Sequence, residues 1–265
     1  METAIFHHLS PNYPWKDRIL CFDTLDSTND RLKLLARQGA PAGTALFADR
    51  QTGGHGRLGR SFHSPAGQGI YLSFLLRPQC PPQTLMHLTC AVAVSMCDAV
   101  ERAAGFRPGI KWTNDLVSGK RKLGGILTEL GLSPQGGVDY AILGIGINCC
   151  QSPADFPAEI VGMAGSLSMV AGAPVDRGRV AAAMLEVLAA LDATLLTQQD
   201  AILRRYRENC VTLGKDISVL RGEQVRHGRA LDIDEQGALV VQYPDGTREH
   251  VNSGEVSIRG MYGYL

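Results

Sequence analysis

GIKWTNDLVSGKRKLGGILTEL, residues Gly109 to Leu130, holds two strand-like runs folded back on each other. The runs are Gly109–Thr113 and Lys122–Leu130, and between them Leu116–Lys122 reads as a hairpin around Ser118-Gly119. Four more runs rich in β-branched and aromatic residues lie outside this stretch: Ile19–Asp23, Ala45–Asp49, Ile70–Leu76 and Tyr140–Asn148. Strands joined partly by hairpins and partly across helices do not make a doubly wound parallel sheet. The expected class is α+β, a central mixed sheet flanked by helices.

The helices are legible from their caps and periodicity. One follows Ser27-Thr28-Asn29, with Ser27 or Thr28 as N-cap and Leu32, Leu35 and Ala36 at helical spacing. A second puts Leu85, Leu88, Val92, Met96 and Val100 on one face and stops at Gly105. A third starts after Asp176 and runs to about Leu196, and a fourth covers Ala201–Glu208. After Cys210 the texture changes. Short strands at Asp216–Leu220, Val225–Asp234, Ala238–Tyr243, Thr247–Val251 and Glu255–Arg259 alternate with turn signals, which suggests a small β-barrel. The expected domains are residues 1–210 and 211–265.

Composition narrows the function classes. Basic and acidic residues balance at 26 each in 265 residues, so the basic footprint of a stand-alone nucleic-acid binder is absent. Seven cysteines, an odd number with no Cys-x-x-Cys pair, argue against a disulfide framework or a zinc site. Reduced thiols in a cytoplasm fit better. No signal-peptide pattern opens the chain, and the most apolar stretch, Thr84–Val100, is too short to span a bilayer.

Three segments carry chemistry. Gln51-Thr52-Gly53-Gly54-His55-Gly56-Arg57-Leu58-Gly59-Arg60 follows a strand directly. Its glycines let backbone N–H groups approach an anion and its arginines neutralise phosphate, although a flexible loop with solvated arginines is the plainer reading. It is neither a Walker loop nor a dinucleotide fingerprint. Gly124-Gly125 inside a strand marks a bulge or a close ligand approach. In Leu143-Gly144-Ile145-Gly146-Ile147-Asn148, alternate glycines bare one face of the strand, either as a floor for a flat ligand or for close packing of a helix.

Taken together these residues resemble the biotin protein ligase family. The matching segments are Asp26–Asn29, Gln51–Arg60, Lys111–Leu116, Arg121–Glu129 and Gly144–Asn148, in the family's order, with Gly254–Arg259 like its closing strand. The resemblance implies a class II synthetase-like catalytic domain and a C-terminal SH3-like barrel. It implies ATP, Mg²⁺ and biotin as reactants, a biotinyl-adenylate intermediate, and transfer to a lysine of a biotin carboxyl carrier domain. Ser27, Thr28, Asn29 and Gln51 match positions around biotin's ureido ring. Gly54, His55, Gly56 and Arg57 match the loop that closes over the ligands, and Gly125 and Leu127 match backbone contacts. Lys122 matches the lysine at the biotin carboxylate and the phosphate. Arg57, Arg60, Lys111, Asn114, Asn148, Glu255 and Arg259 fall on the nucleotide side. Asp115 either orients Arg57, takes the acceptor lysine's proton, or holds a strand end.

The chain departs from the pattern at three positions. His55 stands where the loop normally carries arginine, Phe62 where it carries tryptophan, and Thr113 where a proline is usual. Three rival readings fit the sequence less well. A lipoate ligase of similar fold is disfavoured by the Gly-x-Gly-Arg loop and the Lys-Trp-x-Asn-Asp segment. A biotin-responsive repressor needs a helix-turn-helix that the short stretch before Ile19 does not hold. A catalytically dead sensor is disfavoured by Lys122, Arg57 and Asp115.

Overall fold

The computed structural model describes residues 1–221, 223–252 and 255–258. Along the chain the elements are α1 (Glu2–His8), β1 (Ile19–Leu25), α2 (Thr28–Arg37), β2 (Ala45–Gln51), β3 (Gly69–Leu76), α3 (Leu88–Ala104), β4 (Gly109–Lys111), β5 (Asp115–Ser118), β6 (Arg121–Leu132) and β7 (Val138–Asn148). There follow α4 (Leu167–Ala171), α5 (Arg177–Thr194), α6 (Gln199–Asn209), β8 (Asp216–Arg221), β9 (Gln224–Ile233), β10 (Leu239–Gln242), β11 (Arg248–Val251) and β12 (Glu255–Ile258).

The first seven strands form one sheet in the order β1-β2-β3-β7-β6-β5-β4. Only β1 and β2 run parallel; every other neighbour is antiparallel, so the sheet is mixed as expected. The hairpin between β5 and β6 turns at Gly119, whose φ of 55° suits a residue without a Cβ. The last five strands form a second, antiparallel sheet in the order β11-β10-β9-β8-β12.

Two layers cover the large sheet. On one face α1, α3, α5 and α6 bury Phe47, Leu72, Phe74, Leu143 and Ile147 in the main core. On the other face α2 packs Leu32 and Ala36 onto Leu46, Leu75 and Ile142. This ten-residue helix covers only the β1-to-β7 side of that face. The neighbouring surface at Gly125, Leu127, Gly144 and Gly146 is left for the cleft described below.

The caps act as read. Ser27 accepts from the Asp30 N–H and starts α2, and Gly105, with φ 77°, ends α3. The apolar segment runs beyond the expected Thr84–Val100, so Pro82–Ala104 is long and apolar enough to cross a membrane, but 72% of its apolar 18-residue window is buried inside the fold, as in a core helix. The Asp176 carboxylate caps α5 through the N–H groups of Gly178 and Arg179 at 2.8 and 3.1 Å, and it pairs with His8 at 2.8 Å. Burial raises its pKa, but these hydrogen bonds and the His8 charge outweigh that and hold the carboxyl below the usual range. The stabilisation is therefore complete above the ordinary carboxylate pKa and is lost as pH falls through the depressed folded value. Asp176→Ala should cost about 1 kcal/mol, read as a lower urea midpoint at neutral pH, and the gap to wild type should close in acid.

Three features differ from the expectation. The strand expected over Gly109–Thr113 stops at Lys111, because the Trp112 N–H leaves the sheet to bond Thr212 Oγ1 at 2.9 Å. The second helix starts at Leu88, because Pro82–Leu85 form a 3₁₀ turn after Pro81. The short helices α1 and α4 were not foreseen. Each buries a single side chain, Ile5 or Leu167, too little to create a periodic signal.

Candidate active site

The cleft opens on the α2 face of the sheet and encloses about 180 Å³. Its inner end is a polar set whose donors and acceptors can be assigned in sequence. The Thr28 backbone N–H can only donate, and it donates to Gln51 Oε1 at 2.8 Å. That orients the Gln51 amide: Thr28 Oγ1 donates to the same oxygen at 3.0 Å, and Gln51 Nε2 faces Ser64 Oγ at 3.2 Å. Ser27 Oγ accepts from Asp30 N, which leaves its own proton to give. The set therefore presents donors from Ser27 and Gln51 beside an acceptor at Thr28 Oγ1.

The glycines of β7 do two different jobs. A Cβ at Gly144 would lie 2.3 Å from Asn29 Oδ1, so this glycine admits the Asn29 side chain, the packing alternative. A Cβ at Gly146 would lie 2.5 Å from the Phe62 ring, so Phe62 covers the strand there. Gly125 is different: a Cβ there would meet Lys122 and Asp115 only at ordinary contact distance, and the residue borders the cleft.

The glycine-rich segment closes one side as a small hairpin. Phe62 N–H donates to Gly54 O at 2.8 Å and Gly56 N–H to Arg60 O at 2.7 Å, with a 3₁₀ turn over Arg57–Gly59. Gly54 packs under it against Gln51 and Ser64 and does not border the cleft. His55 lines the cleft with Nδ1 3.3 Å from Gly53 O and 3.9 Å from Asp30 Oδ2.

Cationic groups gather at the outer end, where Arg57, Arg60, Lys111 and Lys122 all border the cleft. Lys122 Nζ pairs with Asp115 Oδ1 at 2.6 Å, and Asp115 is the one carboxylate among the described lining residues. Arg57 donates to Asn114 Oδ1 at 3.3 Å, and Asn114 donates to Ile126 O at 2.9 Å. The orienting partner of Arg57 is thus Asn114, while Asp115 holds Lys122. Burial lowers the Arg57 pKa, and the nearby Asp115 charge works against that.

Of the expected residues, Ser27, Thr28, Asn29, Gln51, His55, Gly56, Arg57, Arg60, Lys111, Asn114, Asp115, Lys122, Gly125 and Leu127 line this one cleft. Asn148 does not. It is buried at the end of β7, its amide donating to Gly165 O at 2.9 Å and accepting from Gln151 at 3.4 Å. Glu255 opens β12, and Arg259 lies outside the described residues. Sequence reading missed Ser61, Trp112 and Val256 as lining residues, and Ser64 and Ser73 behind them. Trp112 was signalled by its place between Lys111 and Asn114; the serines carried no signal, since only the fold brings them in.

Comparison with known proteins gives the family. Residues 21–148 match the biotin/lipoate A/B protein ligase family, and residues 212–259 match the biotin protein ligase C terminal domain. The chain is 35% identical over 232 residues to the bifunctional ligase/repressor BirA of Bacillus subtilis, covering 87% of this chain and 71% of that protein. It is 32% identical to the biotin–[acetyl-CoA-carboxylase] ligase of Mycobacterium tuberculosis, covering 87% and 85%. Among solved structures, the biotin protein ligase of Aquifex aeolicus in complex with biotin and ATP is 30% identical with a TM-score of 0.76, covering 91% of this chain and 98% of that one.

Proposed function

The chain belongs to the biotin protein ligase family, and from that premise we propose that it uses ATP to activate biotin and passes the biotinyl group to a lysine of a biotin carboxyl carrier domain. The observation that carries this is the cleft itself, a neutral donor–acceptor set at one end and clustered cations at the other. A ureido ring has one carbonyl acceptor and two N–H donors, which suits Ser27, Thr28, Asn29 and Gln51. The carboxylate at the far end of the same molecule then lies toward Lys122 and Arg57.

In the first step a biotin carboxylate oxygen attacks the α-phosphorus of ATP. The P–O–P bond breaks and pyrophosphate leaves. Two anions must approach, and Lys122 and Arg57 offset their repulsion and the charge that builds at phosphorus. Arg60, Lys111 and Asn114 border the polyanion's end of the cleft. In the second step the acceptor amine attacks the mixed anhydride, the carbonyl C–O bond breaks and AMP leaves. Asp115 keeps the Lys122 ammonium in place and is, with His55, one of the cleft's bases for the amine's proton. No group of three His, Cys, Asp or Glu side chains among the described residues could hold a metal by itself. Mg²⁺ would enter with ATP as its counter-ion, and Asp115 is the lining carboxylate that would be able to touch it. When bound it neutralises phosphate charge.

We take residues 1–210 as the catalytic unit and 211–265 as the barrel, with Val256 closing the cleft from the barrel side. The seven free thiols fit a cytoplasmic location. ATP–pyrophosphate exchange tests the reading: exchange should require biotin and fail with lipoate. Exchange driven by lipoate and indifferent to biotin would reassign the substrate.

His55 adds a prediction. An arginine there would offer more donors in a fixed fork and would face the Asp30 carboxylate, now 3.9 Å from the imidazole. His55→Arg should hold the closed hairpin more firmly and slow release of biotinyl-adenylate about fivefold, the effect of roughly 1 kcal/mol. Equal release rates for both proteins would show the position to be silent.

A further inference from the structure

Glu129, outside the cleft lining, lies behind the ligand-facing residues. We propose that it is a positioning residue for biotin recognition, setting which end of the Asn29 amide is donor and which is acceptor. Asn29 is 5% exposed and lines the cleft from the first turn of α2. Its Nδ2 donates to Glu129 Oε2 at 2.7 Å, and its Oδ1 accepts from Ser73 Oγ at 2.5 Å.

The two partners are not equivalent. A hydroxyl donates or accepts, so Ser73 suits either orientation of the amide. An ionised carboxylate only accepts, so Glu129 admits one orientation, with Nδ2 turned to it. Ser73 then has to donate. Glu129 decides and Ser73 follows. The carboxylate is itself held, since Lys33 Nζ binds Glu129 Oε1 at 2.8 Å and Asp30 Oδ1 at 2.8 Å. Gly144 supplies the space in which the amide lies. The remaining N–H and lone pair of Asn29 are thereby presented to the ligand in a fixed sense. A cyclic urea, with donors and an acceptor at fixed angles, is sensitive to that sense.

This inference rests on biotin occupying the cleft. Its test is steady-state kinetics of Glu129→Gln, a change of equal size on a half-exposed side chain. A glutamine amide can donate or accept, so it no longer selects one orientation. KM for biotin should rise about tenfold, while kcat, KM for ATP and the thermal midpoint stay within error of wild type. Ser73→Ala, which keeps the deciding carboxylate, should raise KM for biotin less than threefold. In an Asn29→Ala background, Glu129→Gln should change nothing further. An unchanged KM for biotin, an equal rise in both KM values, or additive effects with Asn29→Ala would each overturn the role. A wild-type protein without biotin-dependent pyrophosphate exchange would instead overturn the functional reading, and this inference with it.

Discussion

Lys122→Ala should reduce biotin-dependent pyrophosphate exchange by about 10²–10³-fold, the scale of losing one preorganised charge-stabilising group from an active site. The ammonium is tied to the Asp115 carboxylate at 2.6 Å, so its position is set before substrates arrive. Without it, the biotin carboxylate meets the α-phosphate with Arg57, Arg60, Lys111 and the counter-ion left to offset their repulsion. The fold should survive. Lys122 is 35% exposed on its side chain, and a pair so open to solvent contributes about 1 kcal/mol or less, a few degrees in thermal midpoint. Lys122→Arg keeps the charge but spreads it over a planar fork, so it should recover only part of the rate. Near-normal exchange by a folded Lys122→Ala protein would remove the residue from the mechanism.

Trp112→Ala should be the most destabilising substitution considered. The indole is 5% exposed, and its Nε1–H donates to Gly237 O in the barrel at 3.0 Å. The adjoining backbone is tied on both sides: Trp112 N–H reaches Thr212 Oγ1 at 2.9 Å, and Tyr206 O–H reaches Thr113 O at 3.0 Å. Truncation leaves a cavity where the main core meets the barrel and a Gly237 carbonyl with only the Cys90 thiol at 4.0 Å, a cost of about 3–5 kcal/mol. At roughly 2–4 °C per kcal/mol for a chain of this size, the midpoint should fall about 10 °C. Because Trp112 and Val256 both border the cleft, KM for ATP should rise as well. Trp112→Phe fills most of the space and loses only the N–H, so about 1–2 kcal/mol is expected. A Trp112→Ala midpoint within 2 °C or so of wild type would show that the barrel is held elsewhere.

Much of this molecule was legible in one dimension. The hairpin at Ser118-Gly119, the Ser27 and Asp176 caps, the stop at Gly105 and the turn-rich barrel follow from local backbone chemistry, which needs no distant partner. The resemblance named the residues around the cleft because their order along the chain survives in the sequence. Local propensity could not decide where β4 ends, because Trp112 is drawn out of the sheet by Thr212 and Gly237, about a hundred residues and more away. Nor could it show that Gly144 makes room for Asn29 while Gly146 lies under Phe62, since two alternate glycines read alike until the opposite wall is in place. Asn148 reads like its neighbours but turns to Gly165 and Gln151, and Asp115, read as orienting Arg57, taking a proton or holding a strand end, forms its ion pair with Lys122. Glu129 passed as the end of a motif. Only when α2 and β3 meet β6 does its charge settle the amide of a residue a hundred positions earlier. Periodicity and turn chemistry act through neighbours in sequence, whereas the polarity of a site depends on which side chains the packed sheet brings within hydrogen-bond reach.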